Sequence, residues 1–200
     1  MNDFSFKIFL YLVVVFSAII HEYFHGWMAN YLGDSTAKDA GRLTLNPLKH
    51  LDPIGTVLLP LFLLFFGGTF IGWAKPVPYN PYNLRDRKYG SSKVALAGPL
   101  SNFFIAVIFG LTIRFLKLSD FIYLAFTLIV YINIFLALFN LIPIPPLDGS
   151  KLLMDFFPSS RILQRLETSF VGVFLAIILA MIFLPYIANF IFFIITGQVY

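Results

Sequence analysis

The sequence predicts an all-α polytopic membrane protein, a helical bundle of about five to six membrane segments. Three observations carry this. Hydrophobic residues make up 59% of the 200-residue chain and charged residues 12%, whereas a soluble domain carries about a quarter charged residues. The mean hydropathy is +0.85. The apolar residues also gather in runs of about 20, the length a helix needs to cross a bilayer. The net charge of +4 does not argue for nucleic acid. The basic residues sit between apolar runs rather than along one face, so the expected surroundings are a lipid bilayer and no nucleic acid. Cysteine is absent, which excludes disulfides and thiolate metal sites.

Taken in order, residues 4–29 open the bundle. No basic region precedes them, and a signal-peptide cut near Ser17–Ala18 would sever the run, so residues 4–32 read as a retained membrane helix. Loop 33–53 carries Lys38, Arg42 and Lys49. Within it, "TAKDAGRLTLNPL", 36–48, alternates Leu43 and Leu45 ahead of Asn46–Pro47 and predicts a small β-hairpin. It reads either as an edge for an extended substrate or as a plain connection. Stretch 54–72 is long enough to span but is interrupted by Pro60 and Gly67–Gly68. Loop 73–93 carries Lys75, Arg85, Arg87, Lys88 and Lys93. Runs 94–116 and 120–142 are two further spans, followed by segment 146–168 with Lys151, Arg161 and Arg165. Run 169–185 is another span, and 186–197 is too short to cross upright unless it tilts or extends from its neighbour. The positive-inside rule wants all three basic connections on the cytoplasmic side. That requires 54–72 to enter and leave on one face as a re-entrant hairpin, whose irregular backbone needs cover from protein or water; the competing count makes 54–72 a true span and sends the five basic residues of 73–93 outside.

The chemistry gathers in "SAIIHEYFHGWMAN", residues 17–30. His21 and His25 stand at i and i+4, so their imidazoles stack on one helix face. Glu22 lies beside them. H-E-x-x-H on a helix is the zincin arrangement, two imidazole ligands with a glutamate as general base for a metal-activated water. The chain has 3 histidines and two of them are here, in a membrane segment where ionisable residues are rare and usually functional. The bland alternative, histidines bonding neighbouring helices with Glu22 protonated or paired, lacks a nearby cation for Glu22. A catalytic zinc site also wants a third protein ligand. In "NLIPIPPLDGSKLL", 140–153, an apolar helix runs into Pro143, Pro145 and Pro146 and unwinds just before Asp148. Read alone this is a helix end and an Asp–Gly turn. Beside a motif that lacks its third ligand, Asp148 becomes the candidate.

"HEYFHG", "AGPLSN" (97–102) and "NLIPIPPLDG" together resemble the three signature elements of the site-2 protease family of intramembrane zinc metalloproteases. The resemblance implies that His21, His25 and Asp148 bind zinc and that Glu22 is the catalytic base. It implies that Asn140 and Asn102 are polar groups supporting substrate or transition state, and that "GWAKPVP" (72–78) leads toward the second core helix and helps hold substrate extended. The implied reaction is cleavage of a peptide bond in the transmembrane segment of another protein, often after a first cut elsewhere. The implied layout is a single intramembrane metalloprotease domain, 1–200, with its catalytic core in 4–150 and C-terminal membrane segments in 169–197. It looks like a minimal form without PDZ or CBS domains, with 54–72 as an extra segment, in the cytoplasmic membrane with its active site toward the cytoplasmic side. His21 and Asp148 can share one metal only if their helices run parallel, which again makes 54–72 a hairpin.

Two rival readings stay in view. One is an ion or metal transporter built on broken helices, which lacks a detectable repeat here and has no need for Glu22. The other is a non-catalytic relative that binds membrane segments. Elsewhere, His50 and Asp52 read as a surface turn, the run Arg85–Lys88 as a solvated face attracted to anionic lipid, and Asn133 as a helix–helix hydrogen bond.

Overall fold

The computed structural model describes residues 3–58, 62, 74–158, 160–167 and 170–198. In chain order its α-helices are α1 (Asp3–Tyr31), α2 (Thr36–Asp39), α3 (Gly90–Phe115), α4 (Asp120–Asn140), α5 (Gly149–Phe156), α6 (Arg161–Glu167) and α7 (Phe170–Thr196). Four of them, α1, α3, α4 and α7, are long and apolar enough to cross a membrane. The protein is an integral membrane protein.

Hydrogen bonds between helices fix their directions. His25 of α1 pairs with the Val94 carbonyl, and His21, one turn earlier, pairs with Asn102 further along α3, so α1 and α3 are antiparallel. Ser17 meets Asn133 of α4, and His21 meets Asp148 beyond the end of α4, so α1 and α4 run parallel. At the other end of the bundle, Arg114 in the last turn of α3 donates to the Ile194 carbonyl near the end of α7 (2.8 Å). The ends of α1 and α4 and the starts of α3 and α7 therefore share one face, and the three basic connections share it too. Only Lys7, Arg114 and Lys117 lie toward the opposite face.

Apolar packing holds the long helices. Ala106, Ile113, Val130, Ile134, Ala188 and Phe192 form one buried cluster of α3, α4 and α7. Ile142 and Ile144, just past α4, pack on Ala176, Ala180 and Leu184 of α7. α1 ends in a Schellman turn. Gly33 takes φ +107 while Asp34 N–H donates to the Ala29 carbonyl (2.9 Å) and Gly33 N–H to the Asn30 carbonyl (3.1 Å), a left-handed geometry that glycine adopts at low cost.

Three expectations change. The segments 169–185 and 186–197 form one helix, α7, with Pro185 inside it, so four spans are seen among the described residues, and these do not include most of the expected segment 54–72. A proline's missing donor is tolerated in a membrane helix when its neighbours cover the gap. The hairpin at 36–48 is not formed, and among the described residues there is no strand. There Asp34 accepts from the Thr36 amide (3.2 Å) and starts α2, while Asn46 accepts from the Leu48 amide (3.1 Å) and starts a 3₁₀ turn, Pro47–Lys49. These local side-chain bonds to backbone compete successfully with strand pairing. His50 follows that turn, but its ring is buried (0% exposed) and bonded to the Thr44 carbonyl (2.7 Å), so it is no surface residue.

Most of the predicted hairpin 54–72 lies outside the described residues. Its start, Pro53–Leu58, is a π-helical turn capped by Asp52, whose carboxylate accepts from the Ile54 and Gly55 amides (3.0 and 2.7 Å). The described flanks meet, since Lys75 N–H donates to the His50 carbonyl (2.9 Å).

Candidate metal centre

Two turns of α1 supply the imidazoles, and the chain just past α4 brings in the carboxylate. His21 Nε2 and His25 Nε2 stand 3.0 and 3.2 Å from the same oxygen of Asp148, Oδ2. Both histidines are buried, and their rings meet edge-on at 4.5 Å. Among the described residues, His21, His25 and Asp148 are the one group of three or more His, Asp or Glu side chains whose ligand atoms lie within 4.8 Å of one another.

The rings' other nitrogens decide what these close approaches mean. His25 Nδ1 lies 2.7 Å from the Val94 carbonyl, which can only accept, so Nδ1 carries the proton. His21 Nδ1 lies 2.6 Å from Asn102 Oδ1. The orientation of Asn102 follows from its Nδ2, which donates to the Ser17 carbonyl (3.3 Å) and to Asn133 Oδ1 (2.8 Å). Asn133 is fixed in turn, donating to the Ile129 carbonyl (2.8 Å) and Ser17 Oγ (2.9 Å). With Nδ1 as the donor, each ring in its neutral form would offer the Nε2 lone pair toward the Asp148 oxygen. In that form three lone pairs share one focus, which is the arrangement a bound cation uses.

Gly98 gives the trio its room. A Cβ there would stand 2.5 Å from His25 Nε2 and 2.6 Å from His21 Nε2, so any side chain would collide with the two rings. Glu22, next to His21 in the chain, accepts from the Val77 amide at Oε2 (2.7 Å).

The other expected residues divide. Asn102 is fully buried, and its amide meets His21, Ser17 and Asn133. Asn140 turns back to the Leu136 carbonyl of its own helix (3.0 Å) and is not brought into this network. Asp52 is occupied by its cap. Arg85, Arg87 and Lys88 are exposed. Ser17, Val94, Gly98 and Val77 were not singled out from sequence. Gly98 lies within the quoted AGPLSN element and Val77 within GWAKPVP, but Val94 and Val77 act through backbone groups that leave no mark on residue type.

Comparison with known proteins now bears on this arrangement. The model of peptidase family M50 matches residues 116–185. "Putative zinc metalloprotease YwhC" of Bacillus subtilis is 37% identical over 159 residues, 75% of this chain and 69% of that protein. The chain belongs to peptidase family M50. This agrees with the resemblance to the site-2 protease family. "Putative zinc metalloprotease Rip2" of Mycolicibacterium smegmatis is 33% identical over 136 residues, 66% of this chain and 51% of the relative. "Putative zinc metalloprotease MJ0611" of Methanocaldococcus jannaschii is 37% identical over 99 residues, 50% of each. The chain thus spans about half the length of these last two. No solved structure matches it.

Proposed function

We propose that this M50 peptidase is an intramembrane zinc metalloprotease, hydrolysing peptide bonds within or near the transmembrane segments of membrane-protein substrates. The observation that carries the reading is the meeting of His21, His25 and Asp148 at one point among membrane-spanning helices, with Glu22 alongside. The donor set fits the ion. Ligand atoms about 2.0–2.1 Å from a tetrahedral zinc stand about 3.3 Å from one another; each histidine is 3.0 or 3.2 Å from Asp148 Oδ2, and all three atoms lie within 4.8 Å of one another. Two imidazoles and a carboxylate, with a position left open, suit a catalytic zinc. The relatives' designations as zinc metalloproteases point the same way.

His21, His25 and Asp148 would hold the zinc, which when bound supplies Lewis acidity toward the scissile carbonyl and the attacking water. Glu22 takes the proton of that water and passes it to the leaving nitrogen. Asn102 and the Val94 carbonyl keep the two rings in the tautomer that offers Nε2. A substrate helix hides its carbonyls in i→i−4 hydrogen bonds and must unwind to present one. The three basic connections at the site end support placing the site toward the cytoplasmic side of the cytoplasmic membrane.

The test uses purified protein and its Glu22→Gln variant, with zinc measured by elemental analysis and cleavage assayed on a single-span substrate. Both proteins should hold zinc, and the variant should lose roughly 10²–10⁴-fold in turnover. Equal cleavage by the two, or zinc in neither, overturns the reading.

A further inference from the structure

Residues 74–80, "AKPVPYN", cross the site end of α1 as a strap without regular secondary structure. Hydrogen bonds to neighbouring segments hold it, with Arg42 Nη2 reaching the Pro76 carbonyl (3.4 Å) among them. Lys75 N–H donates to the His50 carbonyl (2.9 Å), and Arg42 Nη2 donates to the Lys75 carbonyl (2.7 Å). Val77 N–H donates to Glu22 Oε2 (2.7 Å), and Asn80 N–H donates to Asp34 Oδ2 (2.6 Å). The Val77 side chain is buried and seats over Gly26, one helical turn beyond Glu22. A Cβ on Gly26 would stand 2.9 Å from Val77 Cγ1 and 3.2 Å from Ala37 Cβ. The strap fits only because α1 has a notch there.

The sequence of the strap also sets its register. Pro76 and Pro78 have no amide hydrogen, so Val77 carries the one donor between Lys75 and Tyr79. A slip of one residue would set a proline against Glu22 and leave the carboxylate without its partner. From this geometry we infer that the Val77 amide is a positioning group for Glu22. It fixes one carboxylate oxygen and leaves the other for proton transfer. The inference rests on the proposed function, because it gives a task to the base named there. A base must lie within hydrogen-bond reach of the proton it takes, and a misplacement of about 1 Å can reduce the rate by about 10²-fold. A glutamate free to change rotamer would spend much of its time out of reach.

Val77→Pro tests this, because Pro78 already holds Val77 in the extended region and the substitution replaces the amide hydrogen by the ring Cδ, so that Glu22 loses its donor and is pushed off its position. In the zinc-loaded protein, kcat should fall roughly 10–100-fold while KM and zinc content stay within about twofold. Val77→Ala, which keeps the donor, should stay within about threefold of wild-type kcat. An unchanged kcat in Val77→Pro, or equal losses in both variants, overturns the inference. Amide hydrogen exchange gives a readout apart from turnover. Val77 should exchange at least about tenfold faster in Glu22→Ala than in Glu22→Gln, whose side-chain oxygen still accepts. Equal exchange in the two overturns the contact itself. If exchange responds as expected but wild type cleaves nothing, the failure belongs to the proposed function. If wild type cleaves and Val77→Pro matches it, the failure belongs to the positioning role.

Discussion

The two halves of the bundle share α3 and α4 but are held together by different physics. In the half away from the site, these helices meet α7 through Ala106, Ile113, Val130, Ile134, Ala188 and Phe192. Lipid is as apolar as those side chains, so this contact depends on close packing and on small residues that let backbones approach. In the other half, the same two helices meet α1 through Ser17, His21, Asn102 and Asn133, all buried. Each of these has to find a hydrogen-bond partner, because an unpaired polar group has no water to turn to. The apolar half can exchange one hydrocarbon for another at modest cost. In the polar half each amide sets the orientation of the next, so a local change travels to the His21 ring.

Substitutions can break this contrast, and the largest expected effect is at Gly98. An added Cβ would stand 2.5–2.6 Å from the Nε2 atoms of His21 and His25 and would drive at least one ring out of place. Gly98→Ala is expected to abolish both zinc retention and cleavage with helix content by circular dichroism unchanged. A variant that keeps stoichiometric zinc would show that the rings have room to give.

Asn102→Ala should act more gently, since it removes an orienting partner and leaves the ligands. Loss of such a partner typically lowers metal affinity about 10–100-fold, to be read by competition with a chelator. Ala188→Leu in the apolar half is the control. It should lower stability by about 1–3 kcal/mol through overpacking while the folded protein keeps its zinc affinity. Equal losses of affinity in the two variants would erase the distinction between the halves.

The polar half was legible in the sequence where chemistry forces residue type. His21 and His25 declared themselves through an i, i+4 spacing inside an apolar run, and Asp148 through the prolines that unwind the chain ahead of it. The placement of lysines and arginines gave the side on which the loops gather. Backbone partners were not legible. The Val94 carbonyl that fixes the His25 tautomer and the Val77 amide on Glu22 belong to residues whose side chains carry no polar group. The boundary drawn at 185 is one that α7 does not have: 186–197 extends from its neighbour, one of the two ways open to so short a run, and Pro185 is carried inside the helix. At 36–48 the alternation of Leu43 and Leu45 was real, but Asp34 and Asn46 bind nearby amides and commit the chain to helical turns before a strand can pair.

The smallest expected effect concerns Asp34, which ties the end of α1 to the far end of the strap. It is fully buried and accepts from Thr36, Asn80 and Asn83. Burial alone would raise its pKa, but the hydrogen bonds from Thr36, Asn80 and Asn83 outweigh burial and hold the carboxyl below its ordinary value. A folded pKa below the unfolded value of about 3.9 means that the stabilisation is fully present above that pH. It is lost as the pH falls through the folded pKa. Asp34→Asn keeps one accepting oxygen and loses the charge. In metal-free protein it should lower stability by about 1–3 kcal/mol at pH 7, and the gap to wild type should close as the pH drops below about 4. Unfolding in detergent at the two pH values measures that gap. A gap that stays constant would mean that Asp34 acts through shape alone, and the strap would then be anchored at that end without help from charge.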